Sequence, residues 1–201
     1  MSSTLTRSRI SVVTLAIAVA GLMSGCFVKS TIKSELSAYA EPADGPLARI
    51  RLIGSRNVKV YPDSTCAAYT VPGSGYPAGP QMGGQRKRDL GMPKALPMPK
   101  HYVEIAARAD RPITAGFSFY TGMTIPGVPG TGMPNTSRSA NCYVAHSFVP
   151  QADQNYEVTS AWNGAGCSIQ VMRLEGAGDS VRRIPVPSAL ASCPASASTR
   201  D

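Results

Sequence analysis

The feature that most constrains this chain is a series of short segments in which apolar and polar residues alternate. Residues 47–52 place Leu, Ala and Ile around two arginines, and residues 113–119 show a stronger alternation. A period of two is typical of a strand with one buried face. Similar segments lie at 58–60, at 102–108 and within 142–186, separated by turn residues. Seven or eight short strands of this kind predict an all-β chain folded as an antiparallel β-sandwich.

The strand pattern also makes local predictions. A short connection at residues 54–57, which contains glycine, predicts that the first two strands form a hairpin. Glu104 and Glu157 fall on the polar sides of their strands and are expected to face solvent. Pro185 cannot donate a ladder hydrogen bond, so the segment 180–186 is expected to be an edge strand.

Two long segments rich in glycine and proline interrupt the strands, at residues 61–99 and 121–139. Proline removes a backbone donor and glycine adds chain entropy, so no regular element is expected through them. Structureless loops of this length are uncommon in a compact domain unless they are functional or flexible. The first loop carries Arg86, Lys87 and Arg88, which are candidates for binding an anionic envelope polymer; the alternative is a solvated basic loop.

The first 25 residues have the organisation of an export signal. Arg7 and Arg9 precede an apolar run over residues 10–23, and roughly 14 residues are too few to span a ~30 Å hydrocarbon core comfortably as a helix. The run leads into Met-Ser-Gly-Cys at residues 23–26, which resembles the lipobox of bacterial lipoproteins, with Met where Leu is usual. The resemblance implies cleavage before Cys26 and lipidation of its thiol.

The same resemblance implies a location. Two or more acyl chains on Cys26 would hold the protein stably on a membrane. Phe27, instead of Asp, after the cysteine implies the outer membrane, facing the periplasm. The chain is then expected to divide into a removed signal peptide (1–25), a lipidated tether (26–46), a sandwich domain (47–190) and a C-terminal tail (191–201).

The remaining cysteines predict two disulfide bonds, because an even number of thiols in an oxidising compartment is typical of a disulfide framework. Their wide spacing does not resemble the close ligand pairs of zinc sites. Three connectivities are open, and spacing does not choose among them. The four residues are Cys66, Cys142, Cys167 and Cys193.

Charge indicates which partners suit the chain. It carries 20 basic and 12 acidic residues, a formal net charge of +8. This balance suits a mildly basic surface and could favour anionic lipids or envelope polymers. Nucleic acid is not expected, because the compartment is wrong and the aromatic residues do not alternate with the basic ones. The expected partners are the membrane, through the anchor, and another envelope protein or an anionic polymer.

No catalytic constellation stands out in the sequence. His101 and His146 are the two histidines, and no serine lies in a GxSxG motif. His146 shares its strand face with apolar residues, which is typical of a core or rim histidine. We therefore expect a protein without enzymatic activity, and a hydrolase with an unrecognised site is the less favoured reading.

Methionines suggest one metal alternative. Met92 and Met98 lie in the first long loop close to His101, and thioethers with imidazole suit Cu(I). Methionine is also a common filler where loops pack onto a sandwich. We therefore predict no cofactor and keep copper as an alternative.

Aromatic residues suggest a second type of site, a surface for saccharides. For Trp162, which is close to Cys167, packing against a disulfide is the simpler expectation. The aromatic candidates are Tyr76, Tyr102, Tyr120, Tyr143 and Trp162.

Taken together, the residues favour an envelope lipoprotein that binds or scaffolds another envelope component without catalysis. The alternative is a module for a small ligand or copper. Residues 148–158 are similar to a strand–turn–strand element of immunoglobulin-like or transthyretin-like sandwich lipoproteins, a resemblance that implies a fold and no activity.

Overall fold

Two β-sheets form the protein in a computed structural model, which describes residues 37–54, 57–68, 70–77, 89–94, 96–99, 101–126 and 136–193. The described residues contain nine strands and one short 3-10 turn at Gly178–Ser180. The strands are β1 (Leu47–Ile53), β2 (Asn57–Tyr61), β3 (Tyr102–Arg108), β4 (Ile113–Ile125), β5 (Thr136–Phe148), β6 (Asn155–Trp162), β7 (Cys167–Glu175), β8 (Arg182–Pro185) and β9 (Ala189–Leu190).

The sheets have five and four strands, in the orders β3-β1-β6-β7-β8 and β2-β4-β5-β9. Neighbouring strands are antiparallel except β1 and β6, which run parallel. Apolar side chains from both sheets meet in one core, which includes Ile50, Ile105, Phe117 and Val158. The predicted all-β sandwich is therefore confirmed, because the alternating segments bury their apolar faces against each other.

The predicted hairpin between the first two strands is wrong. β1 pairs with β3 and β6, whereas β2 pairs with β4 in the other sheet. The connection begins at Gly54, whose φ is +121° and where a Cβ would overlap Ser160 of β6. Glycine is required there because the chain passes close to β6 as it leaves for the second sheet.

The prediction of an edge strand agrees with the structure. β8 is an edge strand of the five-stranded sheet, as Pro185 predicted. The last residues of the predicted sandwich domain add a strand that the sequence did not indicate, since β9 pairs with His146 and Ser147 of β5.

All four predicted cysteines form disulfides. One bond joins Cys66 to Cys193 and so ties the tail to the first long loop. The other joins Cys142 of β5 to Cys167 of β7 and therefore links the two sheets. The structure thus supplies the connectivity that spacing left open.

The end of the predicted tether packs against the sandwich. Tyr39 is buried, and its hydroxyl donates a 3.0 Å hydrogen bond to the carbonyl of Ala106. Burial, followed by the charge of Glu41, raises the pKa of the Tyr39 phenol. Glu41 accepts a 2.9 Å hydrogen bond from the backbone N–H of Ala106. Residues 39–41 therefore belong to the folded domain, ahead of the predicted boundary at residue 47.

Candidate functional site

The outer face of the four-stranded sheet is covered over only part of its length. Thr114 donates a 2.7 Å hydrogen bond from its side chain to the carbonyl of Ser64, which holds the loop after β2 against this face. The backbone N–H of Ala191 donates a 2.9 Å bond to the carbonyl of Ala145, and the Cys66–Cys193 bond joins loop and tail. Beyond this cover, Tyr120 and Tyr143 are exposed on the outer face, at 69% and 54%.

A cleft of about 210 Å³ lies where the cover ends. We call it the tyrosine cleft, because three phenol rings contribute to its walls. Its lining residues are Asn57, Lys59, Tyr61, Ala67, Tyr76, Gly116, Ser118 and Tyr143.

Lys59 supplies the positive charge of the tyrosine cleft. Its neighbours in β2, Val58 and Val60, point into the core, so the alternation directs Lys59 to the opposite face. The side chain is only 5% exposed. Its Nζ lies 5.9 Å from the ring centroid of Tyr61 and 5.8 Å from that of Tyr76. Two ring faces at this distance stabilise the cationic ammonium group in a largely desolvated position.

The position of Tyr76 depends on a close backbone approach. Gly75 exchanges two backbone hydrogen bonds with Val60, at 2.9 and 3.0 Å, which brings Tyr76 alongside the edge strand β2. A Cβ at Gly75 would overlap the backbone of Ala38. The glycine therefore allows three segments that are distant in sequence to meet beside Lys59.

Tyr143 forms the outer wall of the cleft and is 54% exposed. A Cβ on Gly116 would overlap its phenol oxygen, so the ring lies across the glycine on β4. Gly116 thus leaves the space that the ring occupies. The sheet offers a flat aromatic surface at the mouth of a polar cleft.

The cleft combines one ammonium group with phenols, the amide of Asn57 and the hydroxyl of Ser118. Each of these polar side chains makes at least one polar or ring interaction within the chain, so their positions are held in advance of any ligand. Such groups can bind a small polar ligand by charge and hydrogen bonding.

On the other side of the molecule, Glu104 and Glu157 are buried, at 0% and 1% exposure. The prediction that they face solvent is wrong. Both flank Arg51 in register, on β3 and β6 respectively. Arg51 donates hydrogen bonds of 2.8 Å to Glu104 and 3.1 Å to Glu157, and Arg183 donates one of 2.6 Å to Glu157. We call this group the buried ion cluster.

The buried ion cluster is covered by residues 89–94, which we call the strap. Arg51 donates to the carbonyls of Met92 and Pro93, at 3.3 and 2.9 Å, and the N–H of Leu90 donates to Glu104. Met92 packs against Leu174 and Val181 on the same side. The backbone of the strap and the side chain of Arg51 satisfy each other's hydrogen-bonding groups. The buried ion cluster therefore holds the first long loop against the sheet.

Of the aromatic candidates, Tyr76 and Tyr143 meet at the tyrosine cleft. Tyr120 is exposed on β4 without lining the cleft. Tyr102 lies on the other sheet, its ring 5.2 Å from the guanidinium of Arg51. Trp162 packs against Phe119 at 6.3 Å and is paired in register with the disulfide-bonded Cys167.

The copper candidates have different environments. Met92 is 2% exposed and engaged in apolar packing, whereas His101 is exposed and Met98 is partly exposed. Within the ranges that the structure describes, no group of three or more His, Cys, Asp or Glu side chains could hold a metal ion. Met92 therefore packs among apolar side chains, which is the filler role that the sequence suggested for methionine as the alternative to copper binding.

His146 lies at the rim of the core and is partly buried. Its Nδ1 is 3.0 Å from the hydroxyl of Ser188, and burial lowers the pKa of its imidazole. This environment agrees with the rim position that its strand face suggested.

Two predicted features lie outside the described residues. They are the signal with Cys26 and the basic cluster Arg86, Lys87 and Arg88. Among the residues that are described, no helix is both long and apolar enough to cross a bilayer.

Comparisons with protein-family models, with curated proteins and with solved structures find no match for this chain. Sequence reasoning singled out Tyr76 and Tyr143 and missed the other polar residues of the cleft, among them Lys59 and Tyr61. A single lysine between two core-facing valines was the signal, but alternation does not tell which polar residues become enclosed.

Proposed function

We propose that this chain is a lipid-anchored protein of the cell envelope that binds a small polar ligand, without catalysing its conversion, in the tyrosine cleft. The observation that carries the proposal is the position of Lys59, enclosed between Tyr61 and Tyr76 and facing a cleft of about 210 Å³. The lining groups offer charge and hydrogen bonds to a ligand. The proposed location, in the outer membrane and facing the periplasm, derives from the lipobox resemblance at Cys26.

The anchor is tested first. In bacteria grown with radiolabelled palmitate, the wild-type chain should incorporate label and fractionate with outer membranes. The variant Cys26→Ser should lose the label, because serine lacks the thiol that forms the thioether. Label that persists in this variant would contradict lipidation at residue 26. Cys142→Ser provides the matched control, since it removes a disulfide-bonded cysteine of the sandwich and should keep the label.

The binding role is tested inside cells with a photoreactive side chain. Replacing Tyr143 by azidophenylalanine keeps the ring at the mouth of the cleft and should give, on illumination, an adduct whose mass identifies what the cleft holds. The same replacement at Tyr120 is a close control, because that tyrosine is also exposed on the same sheet. An adduct at residue 143 and none at 120 is expected. Equal labelling at both positions, or none at 143, would contradict a binding role for the cleft.

A further inference from the structure

We infer that this protein self-associates by pairing an edge of β5 with the same edge of a second copy of the chain. We call residues 136–141 of β5 the open edge. Within the described residues, β5 pairs with β9 only at His146 and Ser147, although it runs back to Thr136. The inference concerns a surface other than the tyrosine cleft and does not depend on the ligand role proposed for that cleft.

The other edges of the two sheets are protected, and the open edge is not. An unprotected strand edge offers backbone donors and acceptors to any further strand, so proteins usually block it. β8 carries Pro185 and two arginines. On β3, the N–H and the carbonyl of Ala106 bond to the side chains of Glu41 and Tyr39. β2 is bridged by the segment at Gly75. Among the described residues, no strand or bridge covers the open edge in this way.

The direction of the backbone groups on the open edge follows from the contact with β9. The carbonyl of Ala145 accepts a 2.9 Å hydrogen bond from the N–H of Ala191, so the backbone groups of Ala145 point away from β4. Every second residue of an antiparallel strand repeats that direction. The N–H and carbonyl groups of Ser139 and Asn141 therefore also point away from β4, and both residues are exposed.

The open edge belongs to a part of the β4–β5 pair that extends beyond the neighbouring strands. β2 pairs with β4 only as far as Ser118, whereas β4 and β5 remain paired up to Ile125 and Thr136. Within the described part of the chain, this extension consists of two strands. A two-stranded ribbon is at best marginally stable in water, and further strands stabilise it. A strand added to β5 would supply the third.

A second copy matches the open edge in length. Antiparallel pairing centred on Ala140 places Ser139 of each copy opposite Asn141 of the other, so that residues with outward backbone groups exchange hydrogen bonds. The same register places Thr136 opposite Val144, which is the last residue before the backbone bond to β9. The added strand therefore ends where the contact of β5 with β9 begins.

A second copy also matches the open edge in charge and shape. Arg138 is the one charged residue in the sequence from 119 to 145, and this register pairs it with Cys142 instead of with its own copy. Ser139, Ala140 and Asn141 are small, uncharged and exposed, so a second ribbon can approach closely. Lipid is a poorer occupant, because hydrocarbon offers no partners to the backbone groups of a strand edge.

Cysteine crosslinking of the full-length chain in bacteria tests the inference. In the proposed dimer, the two copies of residue 140 face each other with Cβ atoms about 4.5–5.5 Å apart. Ala140→Cys should therefore give, after mild oxidation, a disulfide-linked band of twice the monomer mass on a non-reducing gel. Thr121→Cys is the matched control, because Thr121 is the register partner of Ala140 on β4 and is equally exposed.

The control distinguishes the proposed pairing from chance collision on the membrane. Three strand spacings, about 14 Å, would separate the two copies of residue 121, which is too far for a disulfide. Equal crosslinking at residues 121 and 140, or none at 140, would overturn the inference. A band that joins residue 140 to a different protein, without the doubled band, would also overturn it and would indicate a foreign strand on this edge.

A proline at residue 141 tests whether backbone hydrogen bonds hold the dimer. The N–H of Asn141 points away from β4, so Asn141→Pro removes a bond of the dimer and none of the β4–β5 ladder. Added to Ala140→Cys, it should lower the crosslinked fraction about tenfold or more. An unchanged fraction would contradict pairing along this edge.

Light scattering on the purified wild-type lipidated protein in detergent gives a measurement that needs no variant. Particles with two chains are expected, and they should shift toward one chain in Asn141→Pro. Wild-type particles that hold one chain at every protein concentration would overturn the inference, whether or not the variants fold.

Discussion

Replacing Arg51 by methionine is expected to lower the free energy of unfolding by about 3–5 kcal/mol, the range for removing one partner of a buried ion pair. Arg51 is fully buried and hydrogen-bonded to both Glu104 and Glu157. Without it, two carboxylates remain in the interior, and among the described residues only Glu157 keeps an ion pair, with Arg183. Chemical denaturation of the purified protein, followed by circular dichroism, measures the loss.

Arg49→Met is the matched control, since Arg49 lies two residues away on the same strand and the same face. It is only half-buried, and its side chain makes a 3.4 Å hydrogen bond to the carbonyl of Leu90, so we expect a loss below about 1 kcal/mol. The triple variant Arg51→Met, Glu104→Leu, Glu157→Met should recover most of the stability, because it removes the buried charges together. A triple variant as unstable as Arg51→Met would contradict this account.

The buried ion cluster also explains why the predicted solvent exposure of Glu104 and Glu157 is wrong. Alternation correctly assigned Glu104 and Glu157 to the face opposite the core, but it could not tell whether a further layer covers that face. The cover is the strap at 89–94, about forty residues from Arg51 in sequence, within a loop whose glycines and prolines gave no regular pattern. The face of a strand to which a side chain points follows from the local sequence, whereas the burial of that side chain depends on segments that are distant in the sequence.

The same limit applies to the strands and to the cleft. Local periodicity was sufficient to predict β1 and the first part of β4, because their residues alternate strictly. The expectation of no regular element at residues 121–139 is wrong at both ends, since β4 continues to Ile125 and β5 begins at Thr136. It was not sufficient to pair β1 with its partners, since Gly54 and Asn57 also suit a hairpin and only the approach to Ser160 requires the crossing. Tyr76 and Tyr143 were candidates by residue type. That they meet at Lys59 follows from the Gly75–Val60 bridge, which sequence spacing does not specify.

Removing the Cys66–Cys193 bond is also expected to lower the free energy of unfolding by a large amount. The two cysteines are 127 residues apart, and restricting so long a loop in the unfolded chain stabilises the folded state by about 5 kcal/mol. Neither cysteine is fully buried, so Cys66→Ala with Cys193→Ala leaves no large cavity. We expect a loss of about 4–5 kcal/mol together with a higher denaturant m-value, because the unfolded chain expands when the link is absent.

The second disulfide is the control for this mechanism. Cys142 and Cys167 are 25 residues apart, for which the same relation gives about 3.5 kcal/mol. Cys167 also packs against the core, so part of the cost of its removal is lost contact, and the stabilities alone do not separate the two causes. The m-value separates these two causes, because packing in the folded state does not alter it. A rise in m that is larger for the Cys66 and Cys193 pair supports a restriction of the unfolded chain. Equal m-values in both double variants would instead assign the stabilisation to the folded state, where this bond fixes the loop that carries Ala67 at the rim of the tyrosine cleft.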